Sequence, residues 1–143
     1  MGIPAPEPGL VLNYAYLWHH EHNAGRDEGR KDRPSVIVLC QARRGDGATI
    51  VTVLPITHAK PLNPKTAMEI PARIKKALGL DDDRSWIVID EVNEFAWPGY
   101  DLRKIRNTNN YAFGFLPPLF FNRVLEAFVA LARGELTKTT PRF

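Results

Sequence analysis

The chain lacks the features that stabilise or anchor a protein by means other than a hydrophobic core. Its 143 residues include one cysteine, Cys40, so an internal disulfide is excluded. No apolar run approaches the ~20 residues of a membrane span, and the first residues lack the basic and apolar regions of a signal peptide. We therefore expect one cytoplasmic domain over 1–143, with tails over 1–8 and 135–143 and no membrane contact.

A large excess of charge is also missing. The chain has 19 basic and 16 acidic residues, a net charge of +3, which is far from the charge density of a basic DNA-binding arm. The basic residues are nevertheless concentrated between positions 26 and 44, where they are interrupted by three acidic residues. This distribution permits an anionic partner, although a solvated loop explains it equally well.

The elements that are present indicate a mainly β chain with helices, of the α+β class. Runs rich in Val, Ile, Thr and aromatic residues, separated by turn residues, predict short strands over 9–18, 35–41, 48–56, 67–70, 85–92 and 100–105. A proline start and a glycine stop predict helices over 72–78 and 119–133, and residues 19–32 are expected to be a loop. Short strands with a terminal helix favour a small, strongly bent sheet or barrel.

One predicted hairpin places two polar residues side by side. Asp46-Gly47 supplies a turn between strands 35–41 and 48–56, which makes these strands antiparallel. Arg33 precedes the first strand, and Thr57 follows the second at a similar distance from the turn. We therefore expect Arg33 to lie beside Thr57, with the neighbouring Pro34 fixing the arginine at the mouth of its strand.

An arginine and a hydroxyl group at one place can bind and polarise a phosphate. His58 follows Thr57, and three more histidines, at positions 19, 20 and 22, lie in the loop before Arg33. Such a histidine could move protons for attack by a 2′-hydroxyl group. The 19–22 run lacks the helical spacing of a zinc motif, and Asp81-Asp82-Asp83 lacks the spacing of a Ca²⁺ loop. We therefore expect no metal and no cofactor.

The order of these features resembles the MazF/PemK toxin family over roughly residues 9–106. The resemblance rests on Arg33-Pro34 before an aliphatic strand, on Pro55-Ile56-Thr57 at the end of the next strand, and on the run 85–90. It implies an SH3-like small β-barrel with a C-terminal helix that forms a homodimer and is neutralised by a cognate antitoxin. It also implies metal-independent cleavage of single-stranded RNA, which leaves a 2′,3′-cyclic phosphate and a 5′-hydroxyl group and inhibits growth.

The resemblance assigns roles to individual residues. Arg33 and Thr57 match the family's catalytic pair, His20 resembles the histidine of its first loop, and Asp90 resembles the aspartate of a later strand. Two departures stand out: the loop before Arg33 is long, and Val88 stands where PemK-type members carry a second arginine. His58 is a further candidate for proton transfer. We expect RNA phosphates to contact the basic residues of the two flanking loops, Arg26, Arg30, Lys31 and Lys60.

Other interpretations remain open from the sequence. Arg33 could pair with Asp32 or Asp90 at the surface, and Thr57 could only cap a turn. At the level of the whole chain, the alternatives are a non-enzymatic toxin on the same barrel that binds a protein such as DNA gyrase, or an inactive barrel that only binds nucleic acid.

Overall fold

The computed structural model describes residues 2–26, 29 and 31–143. The strands are β1 Leu10–Tyr14, β2 Arg33–Ala42, β3 Thr49–Thr57, β4 Ala67–Glu69, β5 Trp86–Val88, β6 Glu91–Ala96, β7 Ala112–Phe115 and β8 Lys138–Pro141. The helices are α1 His19–Asn23, α2 Ala72–Ala77 and α3 Pro118–Arg133, and a short 3₁₀ turn covers Pro64–Thr66. The predicted α+β class is confirmed.

The strands form a bent sheet in the order β4-β5-β3-β2-β1-β7. β3 also pairs with β6 through Ile50–Val53, while its last two residues pair with β5, so the sheet divides at this strand. All pairings are antiparallel except that of β6 with β8. Among the described residues no strand joins β4 to β7, so the sheet stays open and resembles an SH3-like barrel only loosely.

The sheet is covered on both faces, which explains why β2 reads as a continuous apolar run. Side chains alternate across a strand, so Val36 and Val38 point to one face and Ile37 to the other. On the first face they pack with Val124 and Phe128 of α3, each of which contributes roughly 1.5–3 kcal/mol through its burial. The terminal helix thus packs against this face of the sheet.

Three sequence predictions of strands need correction. The first strand ends at Tyr14 rather than at residue 18, because the side chain of Asn93 hydrogen-bonds both the N–H and the C=O of Leu17 in place of a neighbouring strand. The run 85–92 is two strands separated by a bend at Asp90. The predicted strand 100–105 is reduced to a single bridge between Leu102 and Tyr14.

Elements that the sequence did not predict lie in the 19–32 loop and near the C-terminus. Residues 19–23 form α1, because Glu21 accepts a hydrogen bond from the Trp18 N–H and Glu91 accepts one from the His19 N–H. These bonds satisfy donors that a helix start otherwise leaves without partners. β7 was also not predicted, and the expected tail over 135–143 contains β8 and the buried Arg142.

Within the described ranges, none of the helices combines the length and the apolar character that a membrane span requires. Cys40 lies half-buried against the core, and this burial raises the pKa of its thiol. The position of Cys40 agrees with a chain built around a hydrophobic core.

Candidate functional site

Arg33 and Thr57 lie at the open end of the β2–β3 hairpin, as the sequence predicts. Ser35 pairs with Pro55, and Arg33 and Thr57 stand two residues beyond that pair on their strands. The Nη1 of Arg33 lies 3.5 Å from the carbonyl oxygen of Ile56, which is the long limit for a hydrogen bond. Both side chains line one open cavity of about 500 Å³. The hairpin therefore brings the two residues to a common space that a ligand can enter.

The guanidinium of Arg33 is held in place but is not saturated with protein acceptors. Its central carbon lies 4.8 Å from the centre of the Trp18 ring, in a cation–π arrangement. Its Nε is buried and has no hydrogen-bond partner among the described residues. Burial lowers the pKa of Arg33, yet an arginine remains charged at neutral pH. A cation fixed in this way beside an open cavity is suited to binding an anion.

The charge of the cavity lining also favours an anion. Lys31, Arg33 and Lys60 contribute to the wall, and no carboxylate lies among the described lining residues. Trp18, Pro61 and Val88 provide an apolar and aromatic part of the wall. The cavity therefore combines cations that can bind phosphate with a surface that can contact a base.

Thr57 keeps its hydroxyl proton for a ligand. Its Oγ1 accepts a hydrogen bond from the N–H of Ala59 at 3.1 Å, as in a local turn. A threonine hydroxyl has one donor and two acceptor positions, so this bond leaves the donor unused. Thr57 thus caps a turn and can also donate to a phosphate oxygen in the cavity.

The other residues predicted for the site divide between those inside and outside the cavity. His20, His58, Lys31 and Lys60 line it together with Arg33. The ring of His20 also lies nearly parallel to that of Trp18, at an angle of 18° with centroids 6.5 Å apart.

Arg26, Arg30 and Asp90 do not join this group. Arg26 pairs with Glu21 at 3.7 Å and is not part of the described lining, while Arg30 lies outside the described residues. Asp90 sits at the bend between β5 and β6, where its carbonyl oxygen accepts from the Lys138 N–H. Asp90 is also absent from the described lining.

The histidines of α1 do not form a metal site in the part of the chain that the structure describes. The one group with ligand atoms within 4.8 Å of one another consists of His58, Asp81 and Asp83, all exposed. The ammonium of Lys75 hydrogen-bonds both Asp81 and the carbonyl of Asp83 in this group. A protein cation therefore already pairs with the Asp81 carboxylate, which disfavours a second cation there.

A half-buried carboxylate that the sequence analysis missed supports the segment leading from β1 into α1. Glu91 Oε1 accepts hydrogen bonds from the Tyr16 hydroxyl at 3.2 Å and from the His19 N–H at 3.0 Å. Burial raises the pKa of Glu91 despite these two bonds. The partners are more than 70 residues apart in sequence, so no local pattern could reveal the contact.

Replacing Glu91 with glutamine should change how stability depends on pH. The folded chain holds this proton more tightly than the unfolded chain, whose glutamate titrates near the usual value of 4.5. The contribution of Glu91 to the free energy of unfolding is therefore fully present below pH 4.5 and is lost as the pH rises through the higher pKa that Glu91 has in the folded chain. Glu91→Gln keeps both acceptor bonds and removes this loss.

Urea unfolding at pH 4 and pH 7 checks this expectation. The difference in free energy of unfolding between Glu91→Gln and wild type should shift in favour of the variant from pH 4 to pH 7. Glu94→Gln on the same strand serves as the control. A pH dependence identical to that of wild type would show that burial of Glu91 does not cost stability.

Comparisons of this chain with protein-family models, with characterised proteins and with solved structures give no match.

Proposed function

We propose that this chain is the toxin of a toxin–antitoxin system, a metal-independent endoribonuclease that cleaves single-stranded RNA. The observation that supports this most strongly is the cavity shared by Arg33 and Thr57. It joins a fixed guanidinium to a hydroxyl whose proton has no acceptor among the described residues, and its described lining has no carboxylate. Such a site complements a phosphodiester.

The proposed reaction is attack of a 2′-hydroxyl group on the adjacent phosphorus. Negative charge grows on the phosphate oxygens in the transition state, and Arg33 is placed to stabilise it. Thr57 orients the same phosphate through its hydroxyl proton. The products are a 2′,3′-cyclic phosphate and a 5′-hydroxyl group.

The remaining lining residues fit an extended single strand. Lys31 and Lys60 would bind phosphates on either side of the scissile bond, and Trp18 would contact an unstacked base. Bases of a paired helix are not available for such contacts, because they are stacked on their neighbours. The aromatic part of the wall is thus the feature that favours single-stranded RNA.

The proposal includes a homodimer, a cognate antitoxin and a cytoplasmic site of action. The start of α3 and the end of β7 expose large apolar side chains: Leu119 is 81% and Phe115 is 52% exposed. Exposed apolar side chains this close in sequence are compatible with a protein interface, which both partners require.

Mapping RNA ends in cells tests the proposed function. Induction of the wild-type chain should arrest growth and create new 5′-hydroxyl ends at a recurring short sequence. Thr57→Ala should reduce these ends by about 10²-fold, the usual cost of losing one donor to the transition state. Growth arrest with unchanged RNA ends would instead support a toxin that binds a protein target.

A further inference from the structure

His58 reaches the space that Arg33 and Thr57 occupy. It follows Thr57 directly and lines the 500 Å³ cavity with both of them. It also lines an adjoining cavity of about 190 Å³ together with Arg33. The imidazole is therefore next to the position that the structure offers to a phosphate, and it is 53% exposed and so open to a ligand.

One nitrogen of this imidazole is fixed by a carboxylate. His58 Nε2 lies 2.7 Å from Oδ2 of Asp81. An ionised carboxylate only accepts hydrogen bonds, so Nε2 must carry a proton in this contact. The described residues provide no hydrogen-bond partner for Nδ1. The proton that can be exchanged is therefore on Nδ1, as in a catalytic imidazole oriented by an acid.

The carboxylate is itself held by a buried lysine. Lys75 Nζ donates to Asp81 Oδ1 at 2.7 Å and also to the carbonyl oxygen of Asp83, and the Lys75 side chain is only 5% exposed. Partial burial acts to raise the pKa of Asp81, but the bond from Lys75 and the nearby imidazole outweigh it and lower that pKa. Asp81 thus stays ionised and its orientation is restricted.

We propose that His58 is the general acid of the cleavage step and that Asp81 is a positioning residue that orients it. This inference rests on the proposed function and deepens it. The 2′-oxygen forms a bond to phosphorus as its proton passes to solvent water, and the bond from phosphorus to the 5′-oxygen breaks. The proton on Nδ1 of His58 moves to that 5′-oxygen, and the imidazole then regains a proton from water.

This assignment gives the site a proton donor, although Val88 stands where PemK-type members carry a second arginine. The resemblance places a second cation at that position, whereas here the side chain is apolar and lines the same cavity. His58 supplies a proton donor from the loop that follows β3, on the residue after Thr57. No local sequence pattern indicates the contact of His58 with Asp81 and Lys75, because these two residues come from the α2–β5 region, 17 to 23 residues away along the chain.

The charged groups around His58 decide how its proton responds to pH. Asp81 and Asp83 face it from the loop before β5, Lys75 from α2, Lys31, Asp32 and Arg33 from the start of β2, and Lys60 from its own loop. We expect cleavage to slow at high pH, because the protonated imidazole that acts as the acid is then lost.

Two matched substrates test the role of His58. One is an RNA oligonucleotide containing the mapped cut sequence, and the other replaces the leaving 5′-oxygen with sulfur, which departs without taking a proton. His58→Gln should slow cleavage of the normal RNA by about 10²–10⁴-fold, the usual contribution of general acid catalysis. It should slow cleavage of the sulfur substrate less than tenfold and should abolish the decline at high pH.

Equal losses on the two substrates, or no loss on either, would overturn the assignment of His58. The proposed function has a separate control: if the wild-type chain cuts neither substrate, the nuclease proposal fails and not merely the choice of acid. Arg33→Ala should slow both substrates alike, because it acts on the phosphate oxygens and not on the leaving group.

Asp81→Asn, with Asp82→Asn as the matched control, tests the positioning role. Asp82 is the exposed neighbour on the same loop and does not line either cavity that contains His58. Asp81→Asn should shift the high-pH decline and slow the normal RNA at least tenfold while sparing the sulfur substrate, and Asp82→Asn should do neither. An unchanged pH profile in Asp81→Asn would show that the His58–Asp81 contact only joins two loops.

Discussion

Arg33→Ala should reduce the rate of RNA cleavage by about 10²–10³-fold, the range observed when one group that stabilises transition-state charge is removed. Arg33 is the only arginine in the described lining of the cavity, and its Nε has no protein acceptor there. Its loss therefore removes the main stabilisation of the negative phosphate oxygens. Single-turnover cleavage of a labelled oligoribonucleotide measures the effect directly.

Arg33→Lys separates charge from geometry. Lysine keeps the positive charge but lacks the planar fork of donors and the stacking on Trp18. We expect it to recover at most a tenth of the lost rate. Both variants should unfold within a few degrees of wild type, since Arg33 makes one marginal hydrogen bond. Wild-type cleavage by Arg33→Ala would refute the assignment of this arginine.

The second large effect concerns stability. Arg142→Met should lower the free energy of unfolding by about 3–5 kcal/mol, which is typical when one partner of a buried ion pair is removed. Arg142 forms two hydrogen bonds to Asp101, at 3.0 and 3.2 Å, with both side chains at least 94% buried. The variant leaves the Asp101 carboxylate buried beside the Tyr14 hydroxyl without a counter-charge.

Thermal unfolding is a sufficient measurement for this prediction. For a chain of this size the loss corresponds to a fall in Tm on the order of 10 °C. Arg133→Met, at the exposed C-terminal end of α3, is the control and should change Tm by less than 2 °C. An unchanged Tm in Arg142→Met would mean that residues 135–143 behave as the tail that the sequence predicts.

The part of the site that could be predicted from the sequence is the part created by local pairing. A turn at 43–47 and two β-rich runs are enough to align Arg33 with Thr57, because antiparallel pairing fixes which residues meet. His58 and Lys60 follow from the same hairpin, since they continue the chain beyond Thr57.

The part that could not be predicted depends on contacts between distant segments. α1 begins where it does because Glu91, 72 residues away, accepts the His19 N–H, and β8 exists because β6 offers it an edge. The His58–Asp81 contact likewise joins two loops that are 23 residues apart in the sequence. The run 85–92 was predicted as one strand, but the chain bends at Asp90, and this residue is absent from the described lining of the cavity.

The central claim is tested most directly with two oligonucleotides and the purified chain in excess EDTA. One is all ribose, and the other has the same sequence with a single 2′-deoxy nucleotide 5′ to the cut. The account predicts that the all-ribose strand is cut to a 2′,3′-cyclic phosphate and that the modified strand is left intact at that position, because the attacking hydroxyl group is absent. Cleavage of the modified strand, or a requirement for added metal, would contradict it.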